Sequence, residues 1–238
     1  MTVAIMQPYL FPYPGYFHLV HAADVFVHYG EAQYRKGGYV NRNRTDVSGR
    51  PTYFTLPVES GSLGDSIDAR RVARKGYGPW RRKFLKGFRL AYAKTPHVDA
   101  ALAMASAVLP ETAPEGLTIG ALARASTEAV ARHTGLATAT RLIDSDTLAY
   151  DRDADARDKV LSMCRGLGAS DYVNASGGRA LYDAADFAAA GLRLRFTEPL
   201  AEAKLPPGFR PELSILDAVA RFDPETLSHV LSQYRLAE

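Results

Sequence analysis

The 238-residue sequence lacks most of the features that assign a protein quickly. It holds one cysteine, Cys164, which excludes an intrachain disulfide and a multi-cysteine metal site. It has no uncharged apolar run of about 18 residues, so no membrane span is expected. Its start carries no basic region, long apolar core or small-residue cleavage site of a secretory leader. With the lone cysteine, this leads to the expectation of a cytoplasmic protein. Charges of the two signs nearly balance at a net +3, too mild to imply nucleic acid by itself. There is no GxSxG, no Walker A loop and no GxGxxG in a strand–helix context. The remaining composition is that of a globular chain.

Strands and helices are expected to alternate from end to end. Thr2–Met6 is a short apolar run suited to a buried first strand. Pro8, Pro12 and Pro14 then force an ordered loop over 7–14, and Gly15 releases the chain into a helix. Asp24–His28 alternates like a second strand. Residues 29–51 lack apolar periodicity and are expected to form a long, irregular, hydrogen-bonding connection. Further strands are predicted at Tyr53–Val58, Ala137–Ile143, 171–174 and Leu192–Phe196. Helices are predicted at Trp80–Ala93, 96–108, Thr118–His133, Asp151–Leu167, 179–190, 214–221 and 224–235. The economical architecture is α/β, with a mostly parallel central sheet flanked by helices and a helical C-terminal part. One domain over 1–238 is expected, with a possible sub-division near 110–117.

Four groups of residues invite a chemical reading. In the opening loop, Gln7 presents an amide at the carboxyl end of the first strand, where open α/β sheets bind ligands. Tyr9, Tyr13 and Tyr16 can stack on a ring or equally pack as a rigid corner. Gln33 to Arg44 contains Lys36 beside two glycines and the run Asn41-Arg42-Asn43-Arg44. Such amides and guanidinium forks suit a phosphate or carboxylate, and they also suit a solvated basic loop. Residues 70–89 carry nine Lys/Arg and no acid, interleaved with aromatics; charges facing water over a packed aromatic face is the favoured reading. His18 and His21 are three apart on one helix, yet no third ligand at suitable spacing is evident, so no metal is expected. Cys164, next to Arg165, is either a buried core thiol or a nucleophile.

The stretches MQPYLFPYPGYF, AADVFV and QYRKGGYVNRNR, followed by GASDYVNASGGRALYD and PELSILDAV, resemble the WbqC-like family of bacteria over nearly the whole chain. One departure stands out. The family usually has an Asp-Asp pair before its Val-Gln-Tyr segment, and here those positions are Gly30 and Glu31. The resemblance implies a transferase that joins an acyl or amino-acyl group to a small amine in surface-sugar (O-antigen) or natural-product biosynthesis. In that reading Glu31 is the base, Gln7 and the tyrosines line the site, and Gln33, Asn41 and Asn43 orient the ligand. Lys36, Arg42 and Arg44 hold an anionic part of the donor, and Cys164 is the subordinate choice of nucleophile. The implied partner is a small molecule, such as a nucleotide-sugar or carrier-bound acyl donor, with no cofactor, no membrane and no nucleic acid expected. A non-catalytic binding or accessory protein is the alternative.

Overall fold

The structure is a computed structural model that describes residues 1–201 and 204–238. Six strands form one sheet: β1 (Thr2–Met6), β2 (Val25–His28), β5 (Arg141–Asp144), β6 (Asp171–Ala175), β7 (Arg193–Pro199) and β8 (Tyr234–Ala237). Their order is β5-β2-β1-β6-β7-β8; every pair is parallel except β7–β8. The α/β expectation with a mostly parallel sheet therefore holds. The helices are α1 (Pro14–Ala22), α2 (Arg74–Ala91), α3 (Val98–Val108), α4 (Ile119–His133), α5 (Ala156–Gly166), α6 (Ala184–Ala189), α7 (Ile215–Arg221) and α8 (Pro224–Leu231).

Strand periodicity divides the core into two. Ala4 and Phe26 point to a larger apolar cluster built with residues of α1, α3, α4 and α7. Their neighbours Val3, Ile5, Val25 and Val27 point to a smaller one built with residues of α5 and α6. Burial on both faces is why β1 reads as a continuous apolar run, and β2, expected to alternate, is likewise buried at all four positions.

The connection expected to be irregular at 29–51 is so over 29–41, but from Arg42 it is a hairpin, β3 (Arg42–Val47) with β4 (Arg50–Thr55). Ser48 and Gly49 make its two-residue turn with φ of 55° and 81°, the primed geometry that matches strand twist. The alternation is present in the sequence, but in amides and guanidiniums. Asn43 and Thr45 are buried while Arg42 and Arg44 face outward, so no hydrophobic period marks the strand. Helix α2 starts at Arg74, six residues before the expected point, and tolerates Pro79 inside it. Helix α5 begins after Asp155, whose carboxylate caps the N–H of Asp158 at 2.9 Å. The segment from Ala137 opens in a 3-10 turn and becomes strand only at Arg141. The last helix stops at Leu231, and the tail expected to continue it returns as β8 along β7.

The chain runs from β1 to β2 and β5 on one side of β1, then crosses to β6 and β7 on the other. The reversal lies between β1 and β6, and ligands of such sheets bind outside the carboxyl ends of the strands at this point. Gln7 follows β1 there, and Asn174 ends β6.

Candidate functional site

The proline-pinned loop is held through several of its backbone groups. Phe11 sits in the left-handed region at φ 45°, a conformation that costs a bulky residue about 1–3 kcal/mol. It is over-determined by its surroundings. Its N–H donates to Ser126 Oγ of α4 at 2.9 Å, and its carbonyl accepts from Asn43 Nδ2 at 2.8 Å and Ser214 Oγ at 2.9 Å. The Leu10 N–H donates to the Val40 carbonyl, and the Ile215 N–H to that of Pro12. The loop thus fastens α4, β3 and the start of α7 together.

Only part of it faces solvent. Gln7, Tyr9 and Tyr13 are half-buried. Gln7 Oε1 accepts from Tyr9 Oη at 3.4 Å, and its backbone carbonyl accepts from Tyr16 Oη at 3.1 Å. Tyr16 itself is 1% exposed and packs against Tyr9, Phe17 and Phe26, so it supports the loop from inside rather than lining a ligand surface.

The Asn-Arg-Asn-Arg run divides by strand face. Asn41 is fully engaged, accepting from Tyr34 Oη at 3.0 Å and donating to the Leu56 carbonyl at 2.8 Å. Asn43 clamps Phe11 and accepts from the Arg44 N–H at 2.8 Å. Both amides are buried and belong to the fold's own hydrogen bonding. Arg44 reaches the Glu212 carbonyl at 2.9 Å. Arg42 lies over the Tyr53 ring at 4.7 Å and donates to the carbonyls of Gly37 and Gly38.

Lys36, Arg42 and Asn41 do meet, in a cleft of about 510 Å³ that Tyr34, Arg70 and the 59–63 loop complete. Arg70 is 7% exposed and stands over the Tyr34 ring at 4.7 Å. It donates to the carbonyls of Glu59 (3.1 Å) and Ser62 (2.9 Å) and pairs with Asp65 at 3.3 Å, which fixes the loop wall. Its Nε has no partner. Gln33 ties the same loop through the Leu63 carbonyl at 2.6 Å. Asn43, Arg44, Gln7 and Glu31 do not line this cleft.

Glu31 lies just beyond β2, and both carboxylate oxygens are taken. Tyr150 Oη donates to Oε2 at 2.5 Å and Arg152 Nε to Oε1 at 2.8 Å. Burial alone would raise its carboxyl, but these two donors hold it below the ordinary carboxylate range. Burial and the facing carboxylate push the Tyr150 hydroxyl up, so it remains a donor at neutral pH. A short ladder links this carboxylate to the cleft: Ile67 N–H to Ala32 carbonyl, Tyr34 N–H to Asp65 carbonyl, and Asp68 N–H to Gly30 carbonyl. Along it, Glu31 and Tyr34 are three residues apart.

The ladder also delivers residues with no motif to announce them. Arg124 of α4 binds Asp68 at 2.6 Å and Asp144, at the end of β5, at 3.3 Å. Asp68 fills the space beside Gly30 and Gly120, where a Cβ would overlap its oxygens. A carboxylate therefore stands next to residue 30 after all, supplied by a segment 38 positions later in the chain. Burial raises the Asp144 carboxyl, with Arg124 opposing and neighbouring acids adding. His28, at the end of β2, is 1% exposed with both ring nitrogens unpartnered. Burial, aided by Arg124, lowers its pKa to about 3.

A neutral buried histidine makes stability pH-dependent. Below pH 6.5 the unfolded chain takes up a proton at His28 that the folded chain refuses until about pH 3. Stability is then lost as pH falls through that window, by about 2 kcal/mol at pH 5 relative to pH 8. His18, lowered to about 4 by burial and then by His21, adds to the same trend. His28→Phe, which keeps the edge-on contact with Phe26, is expected to lose about 2 kcal/mol less than wild type between pH 8 and 5 in urea unfolding. Equal losses in the two proteins would refute this.

Of the two readings of Cys164, the structure matches the core thiol and not the subordinate nucleophile. The thiol is fully buried in the smaller core cluster, and burial pushes it up to about 12, where thiolate is scarce at neutral pH. His18 stacks on Tyr234 and His21 Nδ1 lies 2.8 Å from the Tyr234 hydroxyl, so this pair packs the tail strand. Among the described residues no helix is long and apolar enough to cross a membrane.

A family model described as "WbqC-like protein family" matches residues 7–229. The chain is also 27% identical over 220 residues to "Uncharacterized protein Rv1507c" of Mycobacterium tuberculosis (strain ATCC 25618 / H37Rv), covering 90% of this chain and 91% of that protein. No solved structure matches.

Proposed function

This chain belongs to the WbqC-like protein family, and from that premise we propose that it is a transferase forming an amide or related acyl bond on a small amine. The observation that carries the reading is the pairing of an open basic cleft with an ionised carboxylate on one continuous ladder. Lys36, exposed at the cleft, and Arg42 supply positive charge for an anionic part of the donor. The Glu31 carboxylate attracts the acceptor's ammonium, whose free amine in equilibrium with bulk solvent is the attacking form, and it receives the N–H proton that this amine loses as the C–N bond forms. The amine lone pair forms the new C–N bond, the carbonyl electrons move to oxygen, and their return expels the leaving group with its electron pair. The side-chain N–H groups of Gln7 have no partner among the described residues and are available to that oxyanion.

A surface-sugar or natural-product amine is the acceptor class this reading favours. The test is a thermal-shift panel of acyl thioesters, acyl phosphates, nucleotides and nucleotide-sugars. A donor at 100 times its Kd adds about 2.7 kcal/mol, roughly a 5–10 °C rise in Tm. Lys36→Ala is expected to weaken that donor about tenfold, as the loss of one charge-assisted contact would. A panel that stabilises nothing, or a stabilisation indifferent to Lys36→Ala, counts against the assignment.

One observation favours a second reading. Both oxygens of Glu31 already have donors, which suits a structural anchor in a non-catalytic protein that holds an activated intermediate.

A further inference from the structure

Cations in this protein are segregated by whether they have a partner. Up to residue 93 there are fourteen Lys/Arg against six Asp/Glu; after it there are fifteen against twenty. Among the described residues, only Arg70 and Arg89 of the first fourteen make an ion pair. Ten of the later fifteen do. The unpaired charge is concentrated on the hairpin and on α2, whose 18 residues carry seven cations and no acid. These cations run from Arg74 to Arg89, about 22 Å along the helix axis.

Between hairpin and helix runs an open groove of about 450 Å³. Phe54, Trp80 and Phe84 form its apolar wall, the last two stacked at 5.3 Å and nearly parallel. Lys83 and Tyr53 stand at its rim. Tyr53 is 48% exposed, with the guanidiniums of Arg42 and Arg44 over its ring at 4.7 and 5.8 Å. Ring faces beside a row of unpaired cations are what a flexible polyanion with aromatic bases requires: stacking for the bases, charge for the phosphates.

We propose that the groove between the β3–β4 hairpin and α2 binds single-stranded nucleic acid. The solvated-face reading of residues 70–89 accounts for their exposure but not for the scarcity of acids around them. A lipid surface fits less well. Tyr77 and Phe88 of α2 are buried, Trp80, Phe84 and Leu85 are only partly exposed, and Leu90 is the one large apolar side chain the helix exposes, so it has no apolar stripe to insert.

The experiment is fluorescence anisotropy of the full chain with a labelled 15-mer of uridine, at 50 and 200 mM KCl. The expected result is a micromolar Kd at low salt that weakens roughly 20-fold at 200 mM, as about three phosphate contacts would give. The charge-reversal variant Arg82→Glu/Lys83→Glu/Lys86→Glu is expected to flatten the salt dependence. Tyr53→Ala, an exposed change, is expected to lower affinity at least about fivefold with the salt slope unchanged. If charge reversal perturbs folding by circular dichroism, Tyr53→Ala and the wild-type salt slope decide alone. Failure to bind at 50 mM, tighter binding of a duplex, or a Tyr53→Ala variant that binds the 15-mer as wild type does would each overturn the proposal.

Discussion

Glu31→Gln is expected to lower turnover by at least about 100-fold while leaving donor affinity within a factor of about two. The amide keeps the size and one acceptor oxygen of the carboxylate, so Tyr150 Oη retains a partner. It cannot take a proton, and it no longer offers a negative charge to an ammonium. A positioned base contributes about 10²–10⁴ in rate, and that factor should vanish from kcat rather than from donor binding. The measurement is steady-state kinetics with whichever donor the thermal-shift panel identifies, beside its Kd for both proteins. The acid limb should also move. In wild type the carboxylate is held below its ordinary range, so loss of its charge limits activity only at pH below that range, a limb that Glu31→Gln lacks. Turnover that survives Glu31→Gln intact would assign the carboxylate to the ion pair with Arg152 alone and favour the non-catalytic binding protein.

Asp217→Ala is expected to cost about 3–5 kcal/mol of stability. Asp217 is 1% exposed and sits at the centre of a network joining three separate parts of the chain. Its carboxylate accepts from Tyr92 Oη at 2.7 Å and from Arg221 Nε at 3.0 and 3.1 Å. Tyr92 Oη in turn accepts from the Asp46 N–H at 2.7 Å, and Arg221 Nη2 reaches the Asp46 carboxylate at 3.2 Å. Removing the central anion leaves a tyrosine hydroxyl without an acceptor and a half-buried guanidinium with one remaining anion. The corresponding fall in Tm is roughly 6–20 °C for a chain of this size. Thermal unfolding monitored by circular dichroism checks it. A loss below about 1 kcal/mol would mean that water replaces Asp217 and that the network does not fasten β3 to α7.

Gln7 and Asn43 separate what can be read locally from what cannot. Gln7 was legible because its place follows from local order: an apolar run, then prolines, then a glycine-led helix, puts it at the carboxyl end of β1. The buried strands were legible for the same reason, since a parallel strand covered on both faces is an unbroken apolar run. The β3 strand was not, because its period is written in asparagine and arginine. The inward position of Asn43 depends on a Phe11 carbonyl 32 residues away that needs a donor. A pattern of polar residues states that hydrogen bonds will form but not with what.

Cys164 is the bland case, a buried core thiol as its place on a helix suggests. A neighbouring arginine in sequence says little about a thiol whose helix turns it into a closed apolar cluster. Asp68, Arg124 and Asp144 were out of reach altogether. They come from a loop, a helix and a strand end, and only the ladder of 30–34 against 65–68 and the pairing of β5 with β2 bring their charges within contact.

The chain's own order thus determined the α/β architecture, the ordered proline loop and the kinship carried by its first 45 residues. Periodicity and backbone restriction act over a few residues, so they survive in the linear sequence. The tertiary structure decided that the loop is a fastened corner with Gln7, Tyr9 and Tyr13 at its surface. It likewise decided that Asn41 and Asn43 serve the fold, and that a carboxylate stands beside Gly30 from elsewhere. Each of these is a partnership between groups far apart in the chain. Burial, ion pairing and pKa depend on which groups meet, and only the folded geometry sets that.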